Sequence, residues 1–472
     1  MDISQLKIAV LGGGPGGYAA AFLAADLGMK VTLIDREANP GGVCLYRGCI
    51  PSKALLHVAK LIDESRHAKS WGIEFGEPRI DLDRLRAFKQ GVVTKLTGGL
   101  GQIVKLRKIE YICGQASFDD AHTIRLRRSG GGEESSRFDR IIIATGSRPA
   151  VIPALQIESP RVLDSTSALE LCDVPGTLLV IGGGYIGLEL GTVYAALGSK
   201  VSVVEMMSGL LPGADRDLVE PLEKRMEKIF SSILVSTTVT SVKEAENGMR
   251  VCFEGNQVKE PERVFDKILI SVGRKPNSEI PGLDRTRVQL QPRGFIQVNK
   301  HLQTDEPSVY AIGDVVGEPM LAHKAAHEGR TAVEHIAGHK VAFEPNAIPA
   351  VVFTDPEIAW SGVTETQAAK EGRPVKIAKF PWSASGRATT LDRNEGLTKL
   401  VLDPASERIL GVGIVGSGAG ELIAEGTLAI EMAALAKDLA LTIHPHPTLS
   451  ETLMQSAEVF FGTSTDLYRP RR

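Results

Sequence analysis

Cysteine is scarce in this sequence, with five residues among 472, and so few thiols over such a length exclude a small disulfide-scaffolded domain. An excess of charge of one sign is also missing. Fifty-four Lys and Arg against 57 Asp and Glu leave a formal net charge of -3, which offers no basic field for nucleic acid. No long hydrophobic run occurs either. The most apolar stretch, Thr427 to Ile443, is interrupted by Glu431, Lys437 and Asp438, short of the roughly 18 apolar residues a membrane span requires. The first residues, Met1 to Gln5, lack the positive start and apolar core of an export signal, so the expected compartment is the cytoplasm. The basic end, Tyr468 to Arg472, reads as a frayed tail. Cys113, Cys172 and Cys252 stand alone in apolar contexts and are expected to be buried and inert. That leaves Cys44 and Cys49 to explain.

A dinucleotide-binding pattern is present, and it occurs twice. The run from Lys7 to Leu11 reads as a buried strand, followed by Gly12, Gly14 and Gly17 in a glycine loop, an Ala-rich helix from Tyr18, and a second strand closing on Asp35. Gly12 permits a tight turn, Gly14 lets a pyrophosphate approach the backbone, and Gly17 lets helix pack on strand. The helix N-terminus offers unpaired N–H groups to phosphate, and the acid suits ribose hydroxyls. The same unit returns at Leu178 to Ile181, with Gly182, Gly184 and Gly187, and closes on Glu205 at the same offset. Each repeat later meets an apolar strand ending in glycine, Ile141 to Gly146 and Ile268 to Gly273.

The strand Val309 to Asp314 resumes the first unit after the second, so one nucleotide domain is inserted in the other. From about Asn346 the pattern changes to short strands joined by turns, with helices near 420–435 and 450–460. The expected architecture is α/β: two Rossmann-like dinucleotide-binding domains plus a C-terminal α+β domain. The expected boundaries are 1–150 for the first domain, 151–278 for the inserted one, 279–345 for the continuation of the first, and 346–472 for the last.

Cys44 and Cys49 stand five positions apart with Gly48 between them, and Ile50-Pro51-Ser52-Lys53 opens a helix. A zinc site would need a second ligand pair, which the sequence does not supply. A passive disulfide fits poorly with a helix N-terminus and Lys53, both of which stabilise a thiolate. A redox-active pair beside a dinucleotide domain requires a carrier that takes two electrons from thiols and passes hydride to nicotinamide. That carrier is a flavin, which places FAD on the first unit and a nicotinamide on the second. Glu205 would bond a ribose hydroxyl and repel a 2′-phosphate, and no Arg follows it, which favours NAD over NADP. Dithiol oxidation also needs a base. His444-Pro445-His446-Pro447 offers two histidines; the residues alone do not choose between them, nor exclude a rigid Pro-rich turn capped by Ser450.

These segments, together with Ala144 to Pro149, Val272 to Asn277, Ala311 to Val315, Met320 to Lys324, Phe353 to Glu357 and His446 to Glu451, resemble the pyridine nucleotide-disulphide oxidoreductases over nearly the whole chain. The resemblance is strongest to the branch that oxidises protein-bound dihydrolipoamide. It implies that Cys44 exchanges with substrate, Cys49 faces the flavin, Lys53 and Glu189 pair beside it, and His446, oriented by Glu451, is the base. It implies FAD contacts from Gly12, Gly14, Pro15, Gly16, Gly17, Asp35, Arg36, Gly42, Val43, Cys44, Lys53, Ala116, Thr145, Gly146, Ser147, Asp314, Met320, Leu321, Ala322 and His323. For NAD it implies Gly182, Gly184, Tyr185, Ile186, Gly187, Glu205, Val239 and Gly273. No metal is implied. The implied partners are a second copy, in a homodimer with shared active sites, and the lipoyl domains of acyltransferases in 2-oxo acid dehydrogenase complexes. Four residues depart from the family pattern: Asp35 is one methylene short, Tyr46-Arg47 replace smaller residues where substrate would pass, Pro445 replaces Ala, and Tyr185 resembles another branch.

Overall fold

The computed structural model describes residues 2–256 and 258–467; the basic end at 468–472 lies outside them. Parallel strands covered on both faces need continuous apolar runs, and the first strand is one, with Ile8, Ala9 and Val10 fully buried. The chain starts β1 (Lys7–Leu11), α1 (Pro15–Asp26), β2 (Lys30–Asp35). It continues through α2 (Gly42–Arg47), α3 (Cys49–His67) and α4 (Leu82–Leu106). An antiparallel series follows, β3 (Glu110–Phe118), β4 (Thr123–Arg128) and β5 (Glu133–Arg137), before β6 (Arg140–Ile143) returns beside β1. β7 (Ser147–Pro149) leads out of this sheet.

The second unit repeats the plan: β8 (Val162–Leu163), α5 (Ser165–Glu170), β9 (Thr177–Ile181), α6 (Tyr185–Leu197), β10 (Lys200–Val204), α7 (Arg216–Ile229) and β11 (Ser232–Leu234). A three-stranded antiparallel flap, β12 (Thr237–Ala245), β13 (Gly248–Gly255) and β14 (Glu262–Phe265), precedes β15 (Lys267–Ile270), which completes a parallel sheet of order β11-β10-β9-β15-β8. β16 (Arg274–Pro276) pairs antiparallel with β7, so the inserted unit hangs on a two-stranded connection. β17 (Val309–Ala311) then joins β6 and closes the first sheet in the order β17-β6-β1-β2-β3-β4-β5. α8 (Ala322–Ile336) crosses α1 closely, because a Cβ on Gly329 would lie 2.6 Å from the Gly16 carbonyl oxygen.

The last unit contains β18 (Ala350–Val352), β19 (Glu357–Gly362), α9 (Glu365–Glu371), β20 (Lys376–Pro381), α10 (Gly386–Thr390), β21 (Leu397–Leu402) and β22 (Ile409–Gly416). It ends in α11 (Ala419–Glu431), α12 (Ala436–Leu441) and α13 (Glu451–Phe461), and its antiparallel sheet has the order β18-β19-β22-β21-β20.

α3 ties the three units together. Leu55, Leu56 and Ala59 recur on one face of the helix and share an apolar cluster with Leu188 and Leu190 of α6 and with Val352, Ile358 and Val415 of the third sheet. A second tie is ionic: the buried Lys399 ammonium lies 2.7 Å from Asp215, 2.7 Å from Asp217 and 2.9 Å from Glu365. These three carboxylates are the one acidic trio close enough to hold a cation among the described residues, and Lys399 already occupies it. One expectation fails. Cys172 is exposed on the loop after α5, and Cys113 and Cys252 are half-buried, because they sit within β3 and β13 on the face opposite the buried Ile112, Val251 and Phe253.

Candidate active site

The two glycine loops fold by the same steric rule. Gly12 has φ +111° and Gly182 has φ +107°, and a Cβ on either would strike a carbonyl oxygen of the neighbouring strand, Ala144 at 2.3 Å and Ser271 at 2.5 Å. Gly17 and Gly187 pack α1 and α6 onto the loops, where a Cβ would lie 1.8 Å and 2.3 Å from the oxygens of Gly12 and Gly182. The middle glycines differ. At Gly184 a Cβ would meet nothing, and at Gly14 nothing nearer than the Gly42 Cα at 3.9 Å, so ligand space rather than protein packing accounts for both. Neither helix N-terminus has a side-chain cap, which leaves its N–H groups available to an anion.

Both strand-end acids close back on their loops. Asp35 accepts from the backbone N–H of Gly13 at 2.5 Å and of Glu37 at 2.9 Å. Glu205 accepts from Gly183 at 2.7 Å and Met207 at 2.8 Å. The missing methylene at Asp35 therefore does not break the contact. Burial raises the Asp35 carboxyl pKa, with the Gly13 and Arg36 N–H groups and the Arg47 charge opposing.

A cavity of about 870 Å³ opens between the first sheet and α6, within the size range of ligand sites. Cys44 on α2 and Cys49 at the start of α3 both line it. Gly48 makes the turn between them, in a backbone region that few residues visit, with Cys44 Cα only 3.3 Å from where its Cβ would be. The two thiols act on each other: the neighbouring Cys44 thiol, with help from Lys53, holds the Cys49 thiol down at about 7 against burial. The Cys49 neighbour, with burial, pushes the Cys44 thiol up. Cys49 also begins α3, where the helix dipole favours a thiolate.

Lys53 stands one turn further along α3 and pairs with Glu189 of α6 at 2.7 Å. Glu189 is buried and fully engaged: it also accepts from Ser52 Oγ at 3.1 Å and from the Phe353 N–H at 3.0 Å. The Phe353 ring lies under the Lys53 ammonium, 4.6 Å from its centroid. One carboxylate thus joins helices of two units and the first strand region of the third.

The connection between units also enters the cavity. Ser147 Oγ donates to Asp314 at 2.5 Å and accepts from Arg274 Nε at 2.7 Å. Thr145 and Asn277 exchange hydrogen bonds of 2.8 and 2.9 Å. Behind Asp314, the buried Lys324–Glu328 pair of α8 fixes the turn, since Glu328 accepts from the Gly313 N–H at 2.6 Å.

The two histidines are placed differently. His444 is buried with both ring nitrogens engaged, Nδ1 at 2.9 Å from the Thr442 carbonyl and Nε2 at 2.7 Å from Glu425. His446 projects from the loop, its side chain 77% exposed, and only Nδ1 is engaged, 2.9 Å from the Glu451 carboxylate. Glu451 is itself steadied by the Thr448 N–H at 2.8 Å. A donating Nδ1–H leaves Nε2 as the free basic nitrogen.

Of the residues expected around the flavin, the cavity gathers Gly12, Gly14, Pro15, Gly16, Asp35, Arg36, Gly42, Val43, Cys44, Cys49, Lys53, Ala116, Thr145, Gly146, Ser147, Glu189, Asp314, Met320 and Ala322. Tyr185 and Ile186, expected with NAD, line the same cavity from α6. Gly17, Leu321 and His323 lie off it: Gly17 is helix packing, and His323 bonds the Pro349 carbonyl at 2.8 Å. Gly182, Gly184, Gly187, Glu205, Val239 and Gly273 belong to the second loop and its flap, away from the cysteines. His446 and Glu451 do not line the cavity of their own chain. Sequence reading missed Ser52, Arg274, Asn277, Glu328 and Phe353. Arg274 and Asn277 carried a signal, their place after the second glycine-ended strand, and all but the Glu328 contact join residues far apart in the chain.

The model of the pyridine nucleotide-disulphide oxidoreductase family matches residues 6–329, and that of the family's dimerisation domain matches 348–457. The dihydrolipoyl dehydrogenase of Haemophilus influenzae is 50% identical over 463 residues, which cover 98% of this chain and 96% of that protein. That of Geobacillus stearothermophilus is 44% identical over 460 residues, 97% of each. Among solved structures, LpdA from Mycobacterium tuberculosis superposes with a TM-score of 0.89 at 27% identity, covering 96% of this chain and 99% of that one. The HOCl-induced flavoprotein disulfide reductase RclA from Escherichia coli superposes with a TM-score of 0.84 at 28% identity, covering 95% and 98%. No helix among the described residues is long and apolar enough to cross a membrane. With its paired glycine loops, its cysteine pair and a matching dimerisation domain, this chain belongs to the pyridine nucleotide-disulphide oxidoreductases.

Proposed function

We propose that the chain is an FAD-dependent dihydrolipoyl dehydrogenase, which oxidises protein-bound dihydrolipoamide to lipoamide and reduces NAD. The observation that carries this is the thiol pair opening onto the cavity of the first glycine loop, with a lowered Cys49 and an engaged Lys53–Glu189 pair. The cavity fits FAD: Gly14 leaves room for a diphosphate, the α1 N-terminus is uncapped, and Asp35 has lone pairs left for ribose hydroxyls. Glu205 plays the matching part for NAD and repels the 2′-phosphate of NADP. We assign FAD to segments 1–150 and 279–345, NAD to 151–278, and dimerisation to 346–472.

In the reaction His446 Nε2 takes a proton from one substrate thiol, while Glu451 holds the ring through Nδ1. The substrate thiolate attacks Cys44 in the Cys44–Cys49 disulfide, and Cys49 leaves as thiolate, the form that Lys53 and the α3 N-terminus stabilise. The second substrate thiol then attacks the mixed disulfide at the substrate's sulfur. Lipoamide departs and Cys44 is left as a thiol, so two electrons and two protons have passed from substrate to protein. Bound FAD supplies the two-electron chemistry between this dithiol and NAD. Because His446 does not line the cavity of its own chain, we assign the base to the site of the partner in a homodimer. The lipoyl domain of an acyltransferase in a 2-oxo acid dehydrogenase complex is the substrate carrier, and the cytoplasm the compartment.

The test is a direct comparison of NAD reduction by dihydrolipoamide with oxidation of NADPH by oxidised glutathione. The reading expects turnover in the first assay and little in the second. Preference for NADPH and glutathione would overturn both the substrate and the role of Glu205.

A further inference from the structure

α2 has six residues, yet both its ends are clipped to the first glycine-loop unit. At its start Gly41 donates to the Gly13 carbonyl at 2.7 Å, and Gly42 crosses the loop so closely that a Cβ would sit 2.5 Å from the Gly14 Cα. At its end the Arg47 guanidinium pairs with Glu37, two residues past Asp35. Tyr46 donates to the Asn39 carbonyl at 3.0 Å and is not among the cavity residues. Arg47 does line the cavity, together with Gly12, Gly14, Asp35, Arg36 and Glu37.

This corner has an electrostatic problem. Two carboxylates, Asp35 and Glu37, stand at the end of β2 beside the loop that must receive a negatively charged diphosphate. Like charge there repels the ligand unless a cation intervenes. Arg47 is placed to do so: its field reaches Asp35 as well as Glu37. A guanidinium presents five N–H donors in a planar fork, and among the described residues Glu37 engages one edge. Arg47 lines the cavity, so donors that Glu37 does not engage are within reach of a ligand there. A fork that holds a carboxylate on one edge can hold a phosphate on the other, which a lysine ammonium does poorly.

We propose that Arg47 anchors the diphosphate of FAD through the guanidinium edge that Glu37 leaves open, so that the ligand itself helps to fix the helix carrying Cys44. The proposal rests on the reading of the first loop as the FAD site. The full-length protein, stripped of flavin and reconstituted, supplies the test. Arg47→Met should weaken FAD binding by roughly 10- to 100-fold, the range of a charged hydrogen bond, and should flatten its salt dependence. Arg47→Lys should fall between. ADP, which carries the diphosphate, should compete less well on Arg47→Met, while adenosine competes unchanged. Equal FAD affinity in wild type and Arg47→Met overturns the proposal. So does a loss matched only by a lower thermal midpoint of the flavin-free protein, with the salt slope and ADP competition unaltered. A wild type that takes up no FAD would overturn the FAD reading with it, which separates the two failures.

Discussion

Cys44 and Cys49 are neighbours, and each shifts the other's thiol, Cys44 upward and Cys49 downward. In flavin-free reduced protein one thiolate, absorbing in the ultraviolet, should titrate near pH 7, where Cys49 is held. Cys49→Ser should abolish that step. Cys44→Ala should move it upward, because the neighbouring thiol is lost while Lys53 remains; an unmoved step would show that Lys53 alone sets the value. The histidines divide in the same manner. His446→Gln should lower turnover by about 10²- to 10⁴-fold without changing the thermal midpoint, since its ring is largely exposed. His444→Gln should do the reverse. Its buried ring loses a partner at one nitrogen, costing about 1–3 kcal/mol of stability, while turnover in the folded fraction stays near wild type. Equal kinetic losses in the two variants would refute the assignment of His446 as the base.

The redox turn is built from elements too short to announce themselves. α2 is a single glycine-bounded helix inside a stretch that reads as loop, and its position depends on one crossing of two glycines. Gly42 has φ +57°, and an added Cβ would strike the Gly14 backbone, so Gly42→Ala should shift α2 off the phosphate loop. The expected result is FAD released at least tenfold faster, with far-ultraviolet circular dichroism unchanged. Retention equal to wild type would mean that the loop can yield. α3 by contrast is legible from its opening, Ile50-Pro51-Ser52-Lys53, and carries Leu55, Leu56, Ala59 and Ile62 at helical spacing. What that spacing does not state is the partner of the buried face, a cluster shared by all three units.

Lys399 is the clearest control on how the three units hold together. It carries the buried positive charge among three carboxylates at the junction of the second and third units and is itself 1% exposed, while the outer Lys379 pairs with Asp217 and Glu365. Lys399→Met removes that charge and should cost about 3–5 kcal/mol, read as a lower unfolding midpoint. Burial raises the Asp215 carboxyl, but the hydrogen bonds from Lys399 and Thr366 outweigh it and hold Asp215 at about 2, below its ordinary 3.8. The stability this pair contributes is complete above about pH 4 and is lost as the pH falls toward 2. Acid unfolding should therefore begin at a higher pH in wild type than neutral-pH stability alone implies, and Lys399→Met should blunt the pH dependence in that window. At the scale of the dimer, subunit exchange between Cys44→Ser and His446→Gln should restore activity. A site completed by the partner's histidine gives each heterodimer one site with both lesions and one with neither. Verified heterodimers that remain inactive, though folded and flavin-loaded, would refute shared sites.

The sequence by itself determined the two nucleotide units, the insertion of one in the other, and the cysteine pair. These are local matters: a glycine that must turn, a strand that must be apolar, an acid at the reach of its own loop, thiols five positions apart. It also indicated the change of pattern at the third unit, from the strands Leu397–Leu402 and Ile409–Gly416. Only the tertiary structure showed that His444 is engaged at both ring nitrogens and His446 at Nδ1, paired Arg47 with Glu37, and joined Glu189 to Ser52 and Phe353. It likewise placed Cys172 at the surface. Each of these depends on which distant groups arrive within about 3 Å, and hydrogen bonds and ion pairs fall away too steeply with distance for the order of residues along the chain to specify them.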